Sequence, residues 1–362
     1  MKINIATHLK RSVTRRDVLA ASGGLTAALL LARHGSTQAQ QQAAFPKTIR
    51  WSQIGEGKTE PATVIRYGIG DLDVARRLGG ATIDWKPGFQ ASLPVIEAIS
   101  ANAVDFSFVT STALIYAIGA NVPLVPLVSY PLPHNEVDIL VHADSPIQSA
   151  ADLKGKKVAD HRGTTGTYSL VRYLKTANLT LRDVDYVNLS APDAEAAFAN
   201  RRVDAWISWQ PMIELARRRH KARALPNVKT YDYAFYVGSE KFVKSYPQAA
   251  AALTLLVRDA QRYIEAHPEQ AVEKFARLGG FGSDILERQV YLEVLKAHRS
   301  SYSGAENLNL VDQPTKQNVQ ELADSFHALG IYPERVNVLD RLNDNRFDSI
   351  RAVVAAELKT HP

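Results

Sequence analysis

At 362 residues, 46% of them hydrophobic, the chain exceeds the roughly 250–300 residues that one hydrophobic core sustains, and two lobes are expected. It contains no cysteine, which excludes a disulfide scaffold, a thiolate metal site, a cysteine nucleophile and a cysteine-borne lipid anchor. The formal net charge of +6 sits mostly at one end, where six Lys and Arg in residues 1–39 face Asp17 alone. The remainder is near neutral and lacks the cationic excess that counterion release on nucleic acid requires.

Residues 1–39 read as an export leader. Lys2, Lys10, Arg11, Arg15 and Arg16 precede an apolar run over 18–31, and small residues around Ala39 offer a cleavage site. The pair Arg15-Arg16 just ahead of that run has the arrangement read by the twin-arginine export system. A membrane anchor is the competing reading, but Ser22-Gly23-Gly24 interrupts the run, which is shorter than the about 20 residues of a span. Cleavage after Ala39 and a periplasmic location are expected.

Beyond the leader, short β-branched or aromatic runs alternate with helical patterns, the order that gives α/β architecture with parallel strands. Residues 48–52 read as a strand, followed by the loop 54–58 and a helix opened by Thr59 and Pro61. A strand at 81–85, a helix at 93–101, a strand at 104–109 ending in Thr110-Ser111-Thr112 and a strand at 123–130 complete a first series. A second series has a strand at 139–141, a helical turn at 149–153, a strand at 157–159 and a Gly/Thr loop at 163–167. A helix at 168–177, a strand at 184–189, a helix through Asn200 and a strand at 203–207 follow. One layout of helix end, turn, Val-Asp and apolar strand recurs, around Val104-Asp105 and around Val203-Asp204. The basic run 217–221 reads as the cationic end of a helix. After a strand-like run at 235–237 the pattern is helical over 247–266, 268–278, 283–297 and 313–329, with no third sheet evident.

In open α/β sheets a ligand sits beyond the carboxyl ends of strands, at helix N-termini. Gly163, Thr164, Thr165, Gly166 and Thr167, between a strand and a helix, bare the backbone and supply hydroxyl donors, the chemistry of an anion cradle. Thr110, Ser111 and Thr112 offer the same chemistry in the other half, at what reads as a matching place. Either alone is compatible with an ordinary helix cap; together they imply a shared pocket. An exposed helix end contributes only about 0.3–1 kcal/mol, and a charge-assisted hydrogen bond about 1.5–3 kcal/mol, so several donors in a dry, hinged cleft are needed. Trp209 is placed to wall an apolar tail and Gln210 to hydrogen-bond the polar end of the ligand, whereas Trp206 reads as core. Gln53, Gly55 and Gln90 are weaker candidates, and Glu56 and Lys58 read as solvated charges. No nucleophile–base pair or metal spacing is found, and no metal or cofactor is expected. Of His134 and His161, only His161 stands in a candidate loop, so it would carry any catalysis.

From Asn135 to Arg219 the chain resembles the aliphatic sulfonate, taurine and nitrate branch of ABC-type solute-binding proteins. The residues that carry the likeness are 141–147 (VHADSPI), 151–159 (ADLKGKKVA), the Gly163-Thr164-Thr165 loop, 191–198 (APDAEAAF) and 203–211 (VDAWISWQP). The resemblance implies a type II periplasmic binding protein fold, two lobes with mainly parallel sheets, made of residues 40–132 plus 240–362 and of 133–239, joined by crossovers near Pro133 and Ser239. It implies a monomeric receptor for a small organic anion and a membrane ABC permease as partner. Where the family often has Asp, this chain has Gln210, which cannot neutralise an ammonium; a sulfonate lacking an amine is therefore expected over taurine. Thr164 to Thr167 replace a stretch usually rich in Ser and His. Receptors for nitrate, a nitrile or a thiamine-precursor pyrimidine stay open as alternatives, as does an enzyme such as a pyrimidine-precursor synthase or a lyase.

Overall fold

The computed structural model describes residues 44–54, 61–86, 88–89, 91–278, 282–298 and 308–360. The leader, Gly55, Glu56, Lys58, Thr59 and Gln90 lie outside the described residues.

Ten strands are described: β1 (Thr48–Trp51), β2 (Thr82–Trp85), β3 (Phe106–Thr110), β4 (Leu124–Pro131) and β5 (Val137–His142), then β6 (Lys157–Asp160), β7 (Asp185–Asn188), β8 (Ala205–Trp209), β9 (Ala222–Ala224) and β10 (Tyr233–Ser239). The helices are α1 (Pro61–Arg66), α2 (Val74–Arg77), α3 (Ser92–Ser100), α4 (Ser111–Gly119), α5 (Thr165–Lys175), α6 (Ala191–Ala199) and α7 (Met212–Arg219). After them come α8 (Glu240–Ser245), α9 (Pro247–Ala266), α10 (Pro268–Leu278), α11 (Ile285–His298), α12 (Gln313–Ala328), α13 (Val338–Leu342) and α14 (Asp348–Thr360).

The strands form two five-stranded sheets, ordered β2-β1-β3-β10-β4 and β7-β6-β8-β5-β9. Both sheets are mixed rather than mainly parallel, because β10 runs antiparallel to β3 and β4, and β5 antiparallel to β8 and β9. β10 also joins the first sheet, so the chain returns to it between Ala224 and Tyr233, earlier than the crossover expected near Ser239. An apolar run specifies a strand but not its partners; here Phe235 takes its place between Val109 and Ser129. The three-residue β9 and four-residue α2 are too short to carry a periodic signal.

Successive residues of the strands face opposite sides, and both sides are covered. Ile49, Trp51, Phe106 and Tyr236 belong to one apolar cluster, Val109, Phe235 and Val237 to another across the first sheet. Val137, Ile139, Val158 and Ile207 likewise face one cluster of the second sheet, and Leu140, Ala159 and Trp206 the other. Trp206 is 1% exposed and packs on Phe198, the core position expected for it.

The repeated Val-Asp layout is a repeated piece of structure. Asn102 (φ 54°) and Arg201 (φ 55°) end their helices in the left-handed conformation, and Ala103 N and Arg202 N then bond back to Ala98 O and Ala197 O. Asp105 Oδ2 accepts from Arg50 N at 2.9 Å and Asp204 Oδ2 from Lys157 N at 2.8 Å, each tying a strand start to its parallel neighbour. Accordingly β1 corresponds to β6, and β3 to β8.

Candidate functional site

The carboxyl ends of β1, β3, β6 and β8 converge on a cavity of about 560 Å³. Its lining contains Ile54 after β1, Thr110 and Thr112 after β3, residues 161–165 after β6, and Trp209 and Gln210 after β8. Phe108, Tyr130 and Tyr236 supply an aromatic wall from the first sheet, with ring centroids 5.8–6.3 Å apart. Val257 and Ile264 of α9 and Leu295 of α11 close a further side.

The two hydroxyl loops thus open on one cavity, but they do not occupy equivalent places in the repeat. Thr110 to Thr112 follow β3, whose counterpart β8 is followed by Trp209 and Gln210; the Gly163 to Thr167 loop follows β6, whose counterpart is β1. Pseudo-equivalence could not be read from the loops, because the repeat resides in the strands and turns.

At the first loop α4 begins at Ser111, and its N-cap Thr110 makes no side-chain cap, whereas Ser190, Ser239, Asp312 and Asn337 each cap the helix they precede. The first-turn N–H groups of α4 thus lack the side-chain acceptor those helices have, and Thr110 Oγ1 lies 3.0 Å from Thr112 Oγ1. Ser111 is fully buried, outside the lining, with its hydroxyl donating to Tyr233 O.

At the second loop the helix begins at Thr165, three residues earlier than expected. Gly163 (φ 80°) takes the left-handed turn that glycine favours, and Thr164 and Thr167 form a capping box. The hydroxyls here are spent inside the protein: Thr164 donates to His161 O, Thr165 to Asp232 and Thr167 to Asp160. Gly163, Thr164 and Thr165 line the cavity, whereas Gly166 and Thr167 do not. Gly166 is held to a hydrogen atom by its neighbours, since a Cβ would lie 2.7 Å from Ile207 Cγ2 and 2.9 Å from Asp160 Oδ1.

Two buried carboxyls lie behind these loops. Asp232, in the segment that returns to the first sheet, accepts from Thr165 and from Tyr233 N, and burial pushes it up to about 6. Asp160, at the end of β6, accepts from Thr167 and from Tyr186 at 2.8 Å, while burial raises it to about 7. Of the other candidates, Gln53 is 3% exposed, bonds Thr63 and lies outside the lining. His134 sits on the surface with Nδ1 at Thr230 O, whereas His161 lines the cavity and burial lowers its pKa.

Sequence reasoning missed Glu136 and Arg162, which also line the cavity. Burial pushes the Glu136 carboxyl up to about 8. Its place follows from pairing: Val137 faces Trp209 across β5 and β8, and Gln210 N then donates to Glu136 O at 3.0 Å. No local pattern carries that long-range register. The basic run ends α7 as expected, and it also forms ion pairs, Arg218 with Glu293 and Arg219 with Asp284 at 2.8 Å. No group of three or more His, Cys, Asp or Glu able to hold a metal occurs among the described residues.

The model of the NMT1/THI5-like family matches residues 83–271. A protein of Escherichia coli (strain K12) named for binding aliphatic sulfonates is 27% identical over 270 residues, 74% of this chain and 81% of its own length. The taurine-binding periplasmic protein of the same strain is 26% identical over 56% of this chain and 65% of its own. Among solved structures, the alkanesulfonate-binding protein SsuA of Xanthomonas axonopodis pv. citri bound to MOPS aligns with a TM-score of 0.70 at 25% identity, over 82% of this chain and 98% of that one. The periplasmic aliphatic sulphonate binding protein SsuA of Escherichia coli aligns with a TM-score of 0.69. The two-sheet architecture is that of these periplasmic binding proteins.

Proposed function

Since the chain belongs to the NMT1/THI5-like family, we propose that it is the substrate-binding component of an ABC importer, capturing a sulfonate-like organic anion, aliphatic or aryl, between its two sheets. The observation that carries the reading is the meeting of two hydroxyl-bearing helix starts, α4 from the first sheet and α5 from the second, on one cavity. Free N–H groups and aligned peptide dipoles at such ends hold oxyanions without a cationic side chain. Thr110 and Thr112 add hydroxyl donors, and the aromatic wall with Trp209 covers an apolar tail. The volume exceeds what a two-carbon sulfonate fills, in keeping with a relative whose bound ligand is MOPS. Residues 40–132 with 240–362, and 133–239, act as the two lobes, with β10 contributed to the first sheet across that boundary. The loaded protein, exported to the periplasm by its twin-arginine leader, delivers the anion to a membrane permease; the receptor acts as a monomer and catalyses nothing.

Calorimetry with a panel of alkanesulfonates, an arylsulfonate, taurine, sulfate and nitrate tests this. Saturable binding of organic sulfonates above inorganic anions is expected, and no binding of any organic sulfonate overturns the assignment.

A further inference from the structure

One helix of the second half is built into both halves. Leu170 and Leu174 of α5 lie in a core cluster of the second sheet, and Thr167 ties the helix to Asp160 at the end of β6. Thr165, Tyr168 and Arg172, spaced three and four apart and so on one stripe, turn the other way. Tyr168 is buried in a cluster of the first sheet, its ring centroid 5.9 Å from that of Phe326 of α12 in a T-shaped arrangement. Arg172 lies over the ring of Tyr231 at 4.3 Å and donates to Tyr168 Oη at 3.1 Å.

The segment that returns to the first sheet holds both helix starts. Thr165 donates to Asp232, and Ser111, the first residue of α4, donates to Tyr233 O at 3.1 Å and accepts from Tyr233 N at 3.3 Å. Asp232 is also within hydrogen-bonding reach of the Ser111 hydroxyl. The segment is braced in turn against the outgoing chain, with Leu132 N donating to Asp232 O at 2.9 Å and Thr230 N to His134 O at 2.8 Å. Thr165, Ser111 and Asp232 are all buried, so a rotation that parted them would break hydrogen bonds shielded from water. Surface ion pairs such as Arg218–Glu293, between α7 and α11, exchange with water at little cost.

We infer that α5 is the axle on which the two halves turn and that Asp232 is a positioning residue, holding the α4 and α5 starts together in the open protein as in the closed one. The inference rests on the reading of those starts as the anion site and adds an order of events to it. The anionic end of the ligand meets a site already assembled, and closure at the α7–α11 side then covers the tail. A small headgroup therefore depends on Asp232 as much as a long-tailed ligand does.

Spin-label distances test this, and with no cysteine in the chain, paired cysteine substitutions report only where they are placed. Lys175→Cys with Ala328→Cys spans the axle, and Arg217→Cys with Gln289→Cys spans α7 and α11, all four at exposed positions. In the ligand-free protein the axle pair should give one narrow distance and the α7–α11 pair a broad or longer one, which saturating butanesulfonate shortens without moving the axle pair. An axle pair as broad as the other, or an α7–α11 pair that is narrow with and without ligand, overturns the inference. If butanesulfonate moves neither pair while the ligand-free contrast stands, the sulfonate reading fails and the axle remains. For Asp232, calorimetry with methanesulfonate and octanesulfonate should show both weakened about tenfold in Asp232→Ala and restored to within about threefold in Asp232→Asn, which keeps an acceptor for Thr165. No loss, a loss confined to octanesulfonate, or one that Asp232→Asn does not relieve removes Asp232 from the positioning role. The label distances decide the axle even if Asp232→Ala folds poorly.

Discussion

The two halves share a scaffold and differ in how they meet the cavity. In both, a left-handed turn and an aspartate tie a strand start to its parallel neighbour, at Asn102 with Asp105 and at Arg201 with Asp204. Yet β3 ends in Thr110-Ser111-Thr112 and its counterpart β8 in Trp209-Gln210-Pro211. The α4 loop places Thr110 and Thr112 on the cavity with their hydroxyls bonded only to each other, whereas the α5 loop gives its hydroxyls to Asp160, Asp232 and His161 and spends the N–H groups of Gly163 and Thr164 on Thr167 Oγ1. Duplication therefore sets positions, and chemistry is assigned strand by strand.

That contrast can be broken most forcefully at α5. Thr167→Val removes a hydroxyl from buried Asp160, whose Oδ1 already lacks a partner, and is expected to lower stability by about 3 kcal/mol in urea unfolding. Gly166→Ala should cost about 2 kcal/mol by the same measurement, because Ile207 and Asp160 must move for a methyl group. At α4 the outcome reverses: Thr110→Val with Thr112→Val should leave the unfolding midpoint nearly unchanged and weaken anion binding about tenfold by calorimetry.

A milder probe is pH. Glu136, Asp160 and Asp232 have carboxyls raised to about 8, 7 and 6, so between about pH 4 and those values the folded protein binds more protons than the unfolded chain. Their contribution is present in full at the acid end of that window and lost as pH rises through it. Stability measured by urea unfolding should accordingly fall between pH 5 and pH 8, with a shallower slope in Glu136→Gln. The smallest effect is expected from His161→Ala, which should change sulfonate affinity by no more than about twofold, since the donors lie elsewhere in the lining; a larger loss would give His161 a direct part at the site.

The fold was largely legible because most strands are short apolar runs set off by turns, and because the Val-Asp layout occurs twice. Pairing was not: the sheet joined by β10 depends on contacts with β3 and β4, more than a hundred residues away. The same holds at the site. Gly163, Thr164, Thr165, Thr110, Thr112, Trp209 and Gln210 could be found as strand-to-helix junctions, and all line the cavity. Ser111, Gly166, Thr167 and Gln53 share that chemistry but turn into the protein, a matter of rotation about the helix or strand that composition does not encode. Glu136 lies in no junction motif and enters through the register of β5 on β8.

The arginines at the end of α7 have a consequence away from the cavity. Ile213 and Ala216 root α7 in a core of the second sheet, while Tyr291 and Leu292 root α11 in a core of the first, so Arg218–Glu293 and Arg219–Asp284 clasp one half to the other on the outside. Such pairs stand in water, where the screening length shrinks from about 8 Å at 0.15 M salt to about 3 Å at 1 M. Ionic strength thus becomes a handle on the clasp: concentrated sodium chloride slackens this outer catch, along with other exposed pairs such as Arg201–Asp144, while the amides at the helix starts keep their geometry.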